Sequence, residues 1–386
     1  MLLLWAHLAG AAPVVSNIVA TQRAGTKLVD VTYDVAAAGV SAVAVSLEIS
    51  SDGGATFAVP ATTVTGAIGA GVAVGTGKVL TWNAGGDWAG QYSAQVRFRI
   101  TADDGVANPV PAGFVLIPGG AYSIGDNLDG DLNAPVHTVT LSTFYLQRGA
   151  TTKAEWDSVY TWAVSHGYSF DHAGQGKATN HPVQTVSWYD VVKWCNARSE
   201  KEGLTPCYYK NVEQTAVYHT DTVDVSNTMV KWSANGYRLP TEAEREVAAR
   251  GGLSSKRFPW GDTITHLLAN YYSSSNYSYD TSATRGYHPI YYDNVRPYTS
   301  PVGVFAANGY GLYDMAGNVS EWCWDWYAAY ATGTNPQGPS FSSDRVVRGG
   351  SSDSGASVAR CSIRFHYKPA NPGVYSFGFR PARGAL

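Results

Sequence analysis

The sequence predicts an α+β chain in two parts: an all-β module, then a larger loop-rich domain with a few helices. Three observations lead there. Residues 13–103 alternate apolar and polar positions with period two and show no helical pattern. Three later segments carry helix-start signals. From residue 253 onward the chain is irregular and rich in Gly, Tyr and Ser. Loops of that length inside a compact domain often carry function.

Composition narrows the class. Charged residues make up 15% of the 386 positions, well below the ~25% of an average soluble domain. Aromatics reach 12%, with 12 Trp and 25 Tyr, and there are 41 Gly. This is the composition of a loop-rich, aromatic-packed exported protein. The net charge of -3 and the lack of a basic run give no electrostatic footprint for nucleic acid. No apolar stretch reaches the ~18 residues of a membrane span.

The elements follow in order. "MLLLWAHLAGAAP" has a short apolar core and Ala9-Gly10-Ala11, resembling a leader cleavage site. Residues 1–12 are therefore expected to be the remnant of a signal peptide, and the protein to be secreted or on the cell surface. In 13–103, "KLVDVTYDV", "AVAVSLEIS", "GKVLTWNAG" and "YSAQVRFRI" read as strands separated by Gly-rich turns. Short strands at that spacing predict an immunoglobulin- or fibronectin-like sandwich. Residues 104–113 read as a linker, and 114–386 as the second domain. There, Thr152 with Glu155, Ser187 and Thr241 with Glu244 predict helix starts, the first and last as capping boxes. Gly167, Gly203 and Gly251 predict the stops.

Four cysteines, Cys195, Cys207, Cys323 and Cys361, allow three pairings. In an exported protein disulfides are expected. Cys195–Cys207 would close a short loop and Cys323–Cys361 a longer one. No C-x-x-C pair suggests zinc.

Five stretches occur in order: "GYRLPTEAEREVAARGG", "FPWGD", "NGYGLYDMAGNVSEWCWDWY", "RVVRGGS" and "GFRPAR". Together they resemble the formylglycine-generating (sulfatase-modifying factor) family, over roughly residues 112–383. The resemblance implies a C-type-lectin-like fold. It also implies where an oxidase would hold copper. Oxidases of that family use two cysteines to hold Cu(I), and these positions fall on Ser354 and near Ala359. A single thiolate, Cys361, cannot supply the linear two-sulfur ligation that soft Cu(I) prefers. No copper is expected. Iron enzymes built on the same fold need a separate histidine-bearing domain. Before residue 112 there is only His7, and no H-x-x-x-H occurs.

A third branch of the family consists of variable ligand-binding proteins of diversity-generating retroelements. In these the stretch between R-G-G-S and G-F-R forms the binding face. Here Arg348, Gly349, Gly350, Arg364, Gly378, Phe379 and Arg380 frame Ser352, Asp353, Ser354, Ser357, His366, Tyr367 and Tyr375. Tyr gives large rigid contact area, while Ser and Gly give adaptable hydrogen bonding.

"YDMAGNVSEW" also reads as a cation site. Asp314 and Glu321 stand seven apart around a Gly-containing turn. Two carboxylates and inward carbonyls suit a hard ion such as Ca²⁺. The resemblance assigns the ligands as Asp314, the Gly317 and Val319 carbonyls and Glu321. A second set falls on Asn270, the Tyr271 carbonyl, Asn294 or Asp293, and the Arg296 carbonyl. The alternative is that Asp314 caps a turn and Glu321 pairs with Arg348 or Arg380. Trp322, Trp324 and Trp326 alternate as on a strand, with Trp322 in the core and one or two of the others free to stack on a sugar.

Two functions are carried forward. One is a secreted or surface protein binding a protein or glycan ligand through a calcium-stabilised domain, without oxidase activity. The other is a formylglycine-generating-type oxidase or a related enzyme with altered chemistry.

Overall fold

The computed structural model describes residues 13–54, 56–104, 110–130, 133–373 and 375–385. The leader-like segment 1–12 and linker positions 105–109 lie outside them. The chain divides into two compact units, the first ending at Pro109 and the second running from Val110 to Ala385.

The first unit has strands β1 (Val14–Gln22), β2 (Leu28–Ala36), β3 (Ala42–Ser50), β4 (Val64–Gly66), β5 (Gly69–Ala73), β6 (Gly75–Asn83) and β7 (Arg97–Asp103), with one helical turn, α1 (Ala84–Asp87). They form two antiparallel sheets, ordered β1-β2-β6-β4 and β5-β3-β7. The alternation that marks them in the sequence supplies one shared core. Val31, Tyr33 and Val35 of β2 and Leu80 of β6 meet Val43, Val45, Val72 and Ile100 of the other sheet. Burial of such side chains contributes roughly 1.5–3 kcal/mol each before chain entropy is subtracted.

The second unit is mixed α/β. Its elements are β8 (Phe114–Ile117), β9 (Gly120–Ile124), β10 (His137–Leu141), β11 (Phe144–Gln147), α2 (Lys153–Ser165), α3 (Trp188–Lys201), α4 (Glu242–Arg250), β12 (Ser320–Trp326), β13 (Gly333–Thr334), β14 (Arg345–Arg348), β15 (Phe365–Tyr367), β16 (Phe377–Gly378) and β17 (Ala382–Gly384). Three small sheets result: β13-β10-β9, β17-β11-β8 and β15-β14-β12-β16. All three helices start at capping boxes, on Thr152, Ser187 and Thr241. Gly251 closes α4 in the left-handed region, φ +58°, a conformation that carries no Cβ penalty for glycine.

Tryptophans build the larger core. Trp156 of α2 stacks on Trp194 of α3 at 5.9 Å, and Phe379 meets both edge-on. Every residue of β12 is buried. Trp324 and Trp326 are as buried as Trp322, so none of the three is available to stack on a sugar. Their period-two spacing marks a strand with both faces covered.

Helix α4 carries five charged residues among its nine, yet all nine are buried. Each charge finds a partner. Glu242 holds Arg364 at 2.6 Å, and Glu244 holds Arg238 at 2.6 Å. Arg245 reaches Glu321 at 2.6 Å, and Glu246 takes both Arg250 and Arg348. Buried charge is tolerated only when paired and hydrogen-bonded, so this helix fixes the segments that carry the arginines.

The cysteines correct the sequence expectation. All four are free, buried thiols, and neither Cys195–Cys207 nor Cys323–Cys361 forms a bridge. Burial pushes the Cys207 and Cys361 thiols up to about 12. Cys361 packs in the core with Val247, Leu312 and Met315. It is a core side chain.

Candidate functional site

Strand β14 delivers the chain to Gly349 and Gly350, both left-handed at φ +92° and +70°. Residues 351–361 then fold back over Gly350. A Cβ on Gly350 would lie 3.4 Å from both the Ser354 Cβ and the Ala359 Cα. The fold therefore brings both Ser354 and Ala359 against one glycine.

Hydrogen bonds fix this turn. Ser354 N–H donates to the Ser351 carbonyl at 3.0 Å, and Ser351 N–H donates to Ser354 Oγ at 3.0 Å. The two hydroxyls lie 3.1 Å apart. Outside the turn, Ser352 N–H donates to the Asn318 carbonyl, and Tyr272 N–H donates to the Ser354 carbonyl, each at 2.9 Å.

A cleft of about 370 Å³ opens beside the turn. Ser320, Ser351, Asp353, Ser354, Asn371 and Ser376 form its polar side, and Val347, Val358, Phe365, Tyr367 and Phe377 its apolar side. A mostly apolar concavity with a few convergent polar groups is the usual form of a ligand site. Arg348 also borders it, but its guanidinium is engaged by Glu246, the Tyr330 hydroxyl and the Ser362 and Ile363 carbonyls.

Of the seven residues expected from sequence to form a binding face, Asp353, Ser354 and Tyr367 line this cleft. The other four do not. Ser352 is buried, and its Oγ has no partner. Ser357 Oγ donates to the Tyr277 hydroxyl at 3.1 Å. His366 precedes Tyr367 on β15 and so takes the opposite face, where it stacks on Tyr327 and meets Asp344 Oδ2 at 3.0 Å. Tyr375, at φ +65°, uses its N–H on Gln184 Oε1. Sequence reasoning passed over Phe365, although period two from Tyr367 marks it. It also passed over Ser320, Asn371 and Phe377, which no local signal distinguishes.

Beside the cleft lies a cluster of tyrosines. Tyr287 stacks on Tyr292 at 5.0 Å, and Tyr272 and Tyr298 pack against Tyr287. Arg296 spans from this cluster to Asp353 Oδ2 and lies 5.1 Å over the Tyr298 ring. Asp353 Oδ1 is buried and has no partner.

The expected cation ligands divide. Asp314 is buried beside Glu321, and burial pushes its carboxyl up to about 6; its Oδ2 accepts from Gly303 N–H at 2.8 Å. Gly317 must be glycine, because a Cβ would stand 2.3 Å from the Asn270 carbonyl oxygen. Glu321 sits between Arg245 and Arg380. Burial raises its carboxyl, but the attraction of the two guanidiniums and their hydrogen bonds outweighs it, leaving it below the ordinary range. Asn270 is buried with Oδ1 unpartnered, and the Tyr271 carbonyl accepts from His266 Nε2 at 3.1 Å. Asn294 and Asp293 are exposed, with Asp293 paired to Lys177. Among the described residues, no three His, Cys, Asp or Glu side chains are grouped to hold a metal. No helix among them is long and apolar enough to cross a membrane.

Comparison with known proteins accounts for the second unit. A family model described as "Sulfatase-modifying factor enzyme 1-like domain" matches residues 101–385. The chain is 34% identical over 269 residues to a formylglycine-generating enzyme of Thermomonospora curvata, covering 63% of this chain and 83% of that protein. It is 36% identical over 228 residues to a Paenibacillus barcinonensis protein named chaperone protein LppX, covering 57% of this chain and 74% of that one. Among solved structures, Treponema denticola variable protein 1 superposes with a TM-score of 0.53 at 29% identity, covering 70% of this chain and 94% of that one. The motif order, the framework around the cleft and these matches agree: the chain belongs to the sulfatase-modifying factor (formylglycine-generating enzyme-like) family.

Proposed function

We propose that this chain is a secreted or cell-surface ligand-binding protein that has kept the family's scaffold without its copper oxidase chemistry. The observation that carries this is the pair Ser354 and Ala359, both brought against Gly350; the resemblance puts the two thiolates that hold Cu(I) in the family's oxidases at Ser354 and near Ala359. A hydroxyl and a methyl give a soft ion nothing to bind. The cleft remains, walled by aromatic side chains, and the likeness to a variable protein supports a display role of the diversity-generating-retroelement kind.

In this reading the second unit is a C-type-lectin-like domain, and the first is an immunoglobulin- or fibronectin-like spacer with two sheets around one core. Location outside the cytoplasm rests on the leader-like residues 1–12. Calcium would be held by Asp314 and the Gly317 and Val319 carbonyls. The buried Asp314 carboxyl, with no cationic side chain in hydrogen bond with it, fits such an ion, whereas the Glu321 oxygens already serve two arginines. Bound there, calcium would neutralise Asp314 and pin the 314–319 turn.

The second reading, an oxidase, is favoured by the likeness to formylglycine-generating enzymes. Incubation with copper and a sulfatase-type cysteine peptide, followed by mass spectrometry, separates the two. Unchanged peptide is expected, and accumulation of the aldehyde would overturn the binding reading.

A further inference from the structure

We propose, resting on the ligand-binding reading, that the cleft recognises a primary ammonium on an apolar stem: chemically, the side chain of a lysine in a protein or peptide ligand. The argument begins at Asp353. Its Oδ2 is ion-paired to Arg296, while Oδ1 is buried and receives no hydrogen bond from the protein. A buried acceptor left without a donor is costly, and a charge-assisted donor from a ligand recovers that cost. Asp353 lines the cleft, so a ligand there that displaces the packing over Oδ1 can supply the missing donor.

The rest of the lining selects the same chemistry. Ser351, Ser354 and Ser376 add hydroxyl oxygens. The two terminal nitrogens of Arg348 are taken by Glu246, Tyr330 and two carbonyls, while its Nε makes no hydrogen bond and lies 3.4 Å from Glu242 Oε1. The arginines at the cleft, Arg348 and Arg296, are thus already ion-paired to carboxylates, which disfavours an anionic ligand. Phe365, Tyr367 and Phe377 line the same cleft, with the Tyr367 and Phe377 rings at 4.5 Å. Aromatic faces attract a cation through their quadrupole, and an alkyl stem packs on the same surfaces.

Lysine is favoured over arginine by what Arg296 has taken. A ligand guanidinium binds a carboxylate best through both oxygens as a planar fork. With Oδ2 already paired, one oxygen is left, and a point-like ammonium suits one oxygen.

The test uses the whole chain and four probes: the N-acetyl methylamides of lysine, norleucine and arginine, and methyl glucoside. Binding is followed by saturation-transfer NMR. The lysine probe should bind about tenfold or more tighter than norleucine, since a charge-assisted hydrogen bond contributes roughly 1.5–3 kcal/mol. Asp353→Asn should bring lysine down to the norleucine level. Arg296→Gln, which frees the second oxygen, should tighten lysine binding severalfold, and it reports even if Asp353→Asn folds poorly. Equal affinity for lysine and norleucine would sink the ammonium inference while sparing the ligand cleft. So would a signal from glucoside alone, or insensitivity of the lysine probe to both variants. Silence from all four probes also rejects it. Copper-dependent turnover would instead remove the reading on which it rests.

Discussion

Arg380 grips both carboxylate oxygens of Glu321, with contacts of 2.7 and 2.9 Å, while Arg245 takes Oε2 from the other side at 2.6 Å. All three side chains are fully buried. Glu321 is thus the hub of an ion triad joining α4, β12 and the residues that follow β16.

Removing that hub strands two buried guanidiniums. Glu321→Ala is expected to cost about 3–5 kcal/mol, read from urea unfolding. The loss should be the same in calcium and in EDTA. A loss that vanished in EDTA would show that Glu321 acts through a metal instead.

Asp314 gives the opposite sign. Its folded carboxyl is raised to about 6 by burial, above the 3.8 of the unfolded chain. The folded state therefore holds the proton more tightly. In EDTA, stability should rise as pH falls from about 7 through 6 toward 4, and the rise should stop below 4. Asp314→Asn should flatten that slope. If calcium binds here, it should raise the melting temperature of the wild type at pH 7 and leave Asp314→Asn unmoved. Equal shifts in both proteins would place the ion elsewhere.

The geometry around Gly350 can be tested by restoring sulfur. The double variant Ser354→Cys, Ala359→Cys should acquire tight Cu(I) binding in competition with a chromophoric chelator, because two thiolates on one side of the turn match that ion's preference. The wild type and each single variant should not. A double variant no better than the singles would show that the two positions do not face a common point.

The thiols offer a simple check. A disulfide-exchange reagent should label none of the four cysteines quickly in the native protein and all four after unfolding, since burial suppresses the thiolate. Recovery of a bridged peptide would contradict the free state.

Much of the scaffold was legible in the sequence because its signals are local. Capping boxes at Thr152 and Thr241 need only four residues each, and the period-two strands of the first unit need only alternation. The cleft was half legible. The stretch that forms it could be named, but strand β15 sends His366 to one face and Tyr367 with Phe365 to the other, and only pairing with β14 reveals which face is the cleft. Helix α4 was legible as a helix and not as a core element. Its burial depends on charged partners 76 to 122 positions away, Glu321, Arg348 and Arg364, which no periodicity can report. The disulfide expectation failed for the same reason. Composition suggested export, while packing set Cys195, Cys207 and Cys361 among apolar and aromatic groups and Cys323 against the Glu321 carbonyl.

The charged helix has a consequence for how this protein can change over generations. Arg348 and Arg380 bracket the 351–377 stretch and Arg364 lies within it, and each is moored to an acid outside it: Glu246, Glu321 and Glu242 respectively. The moorings do not depend on which side chains point into the opening between them. Substitutions at the exposed Phe365 and Tyr367 can therefore accumulate at little risk to folding, and a mutational scan should find tolerance there beside intolerance at the three arginines. Such a division between a rigid frame and an editable interior lets recognition diversify while the architecture stays constant.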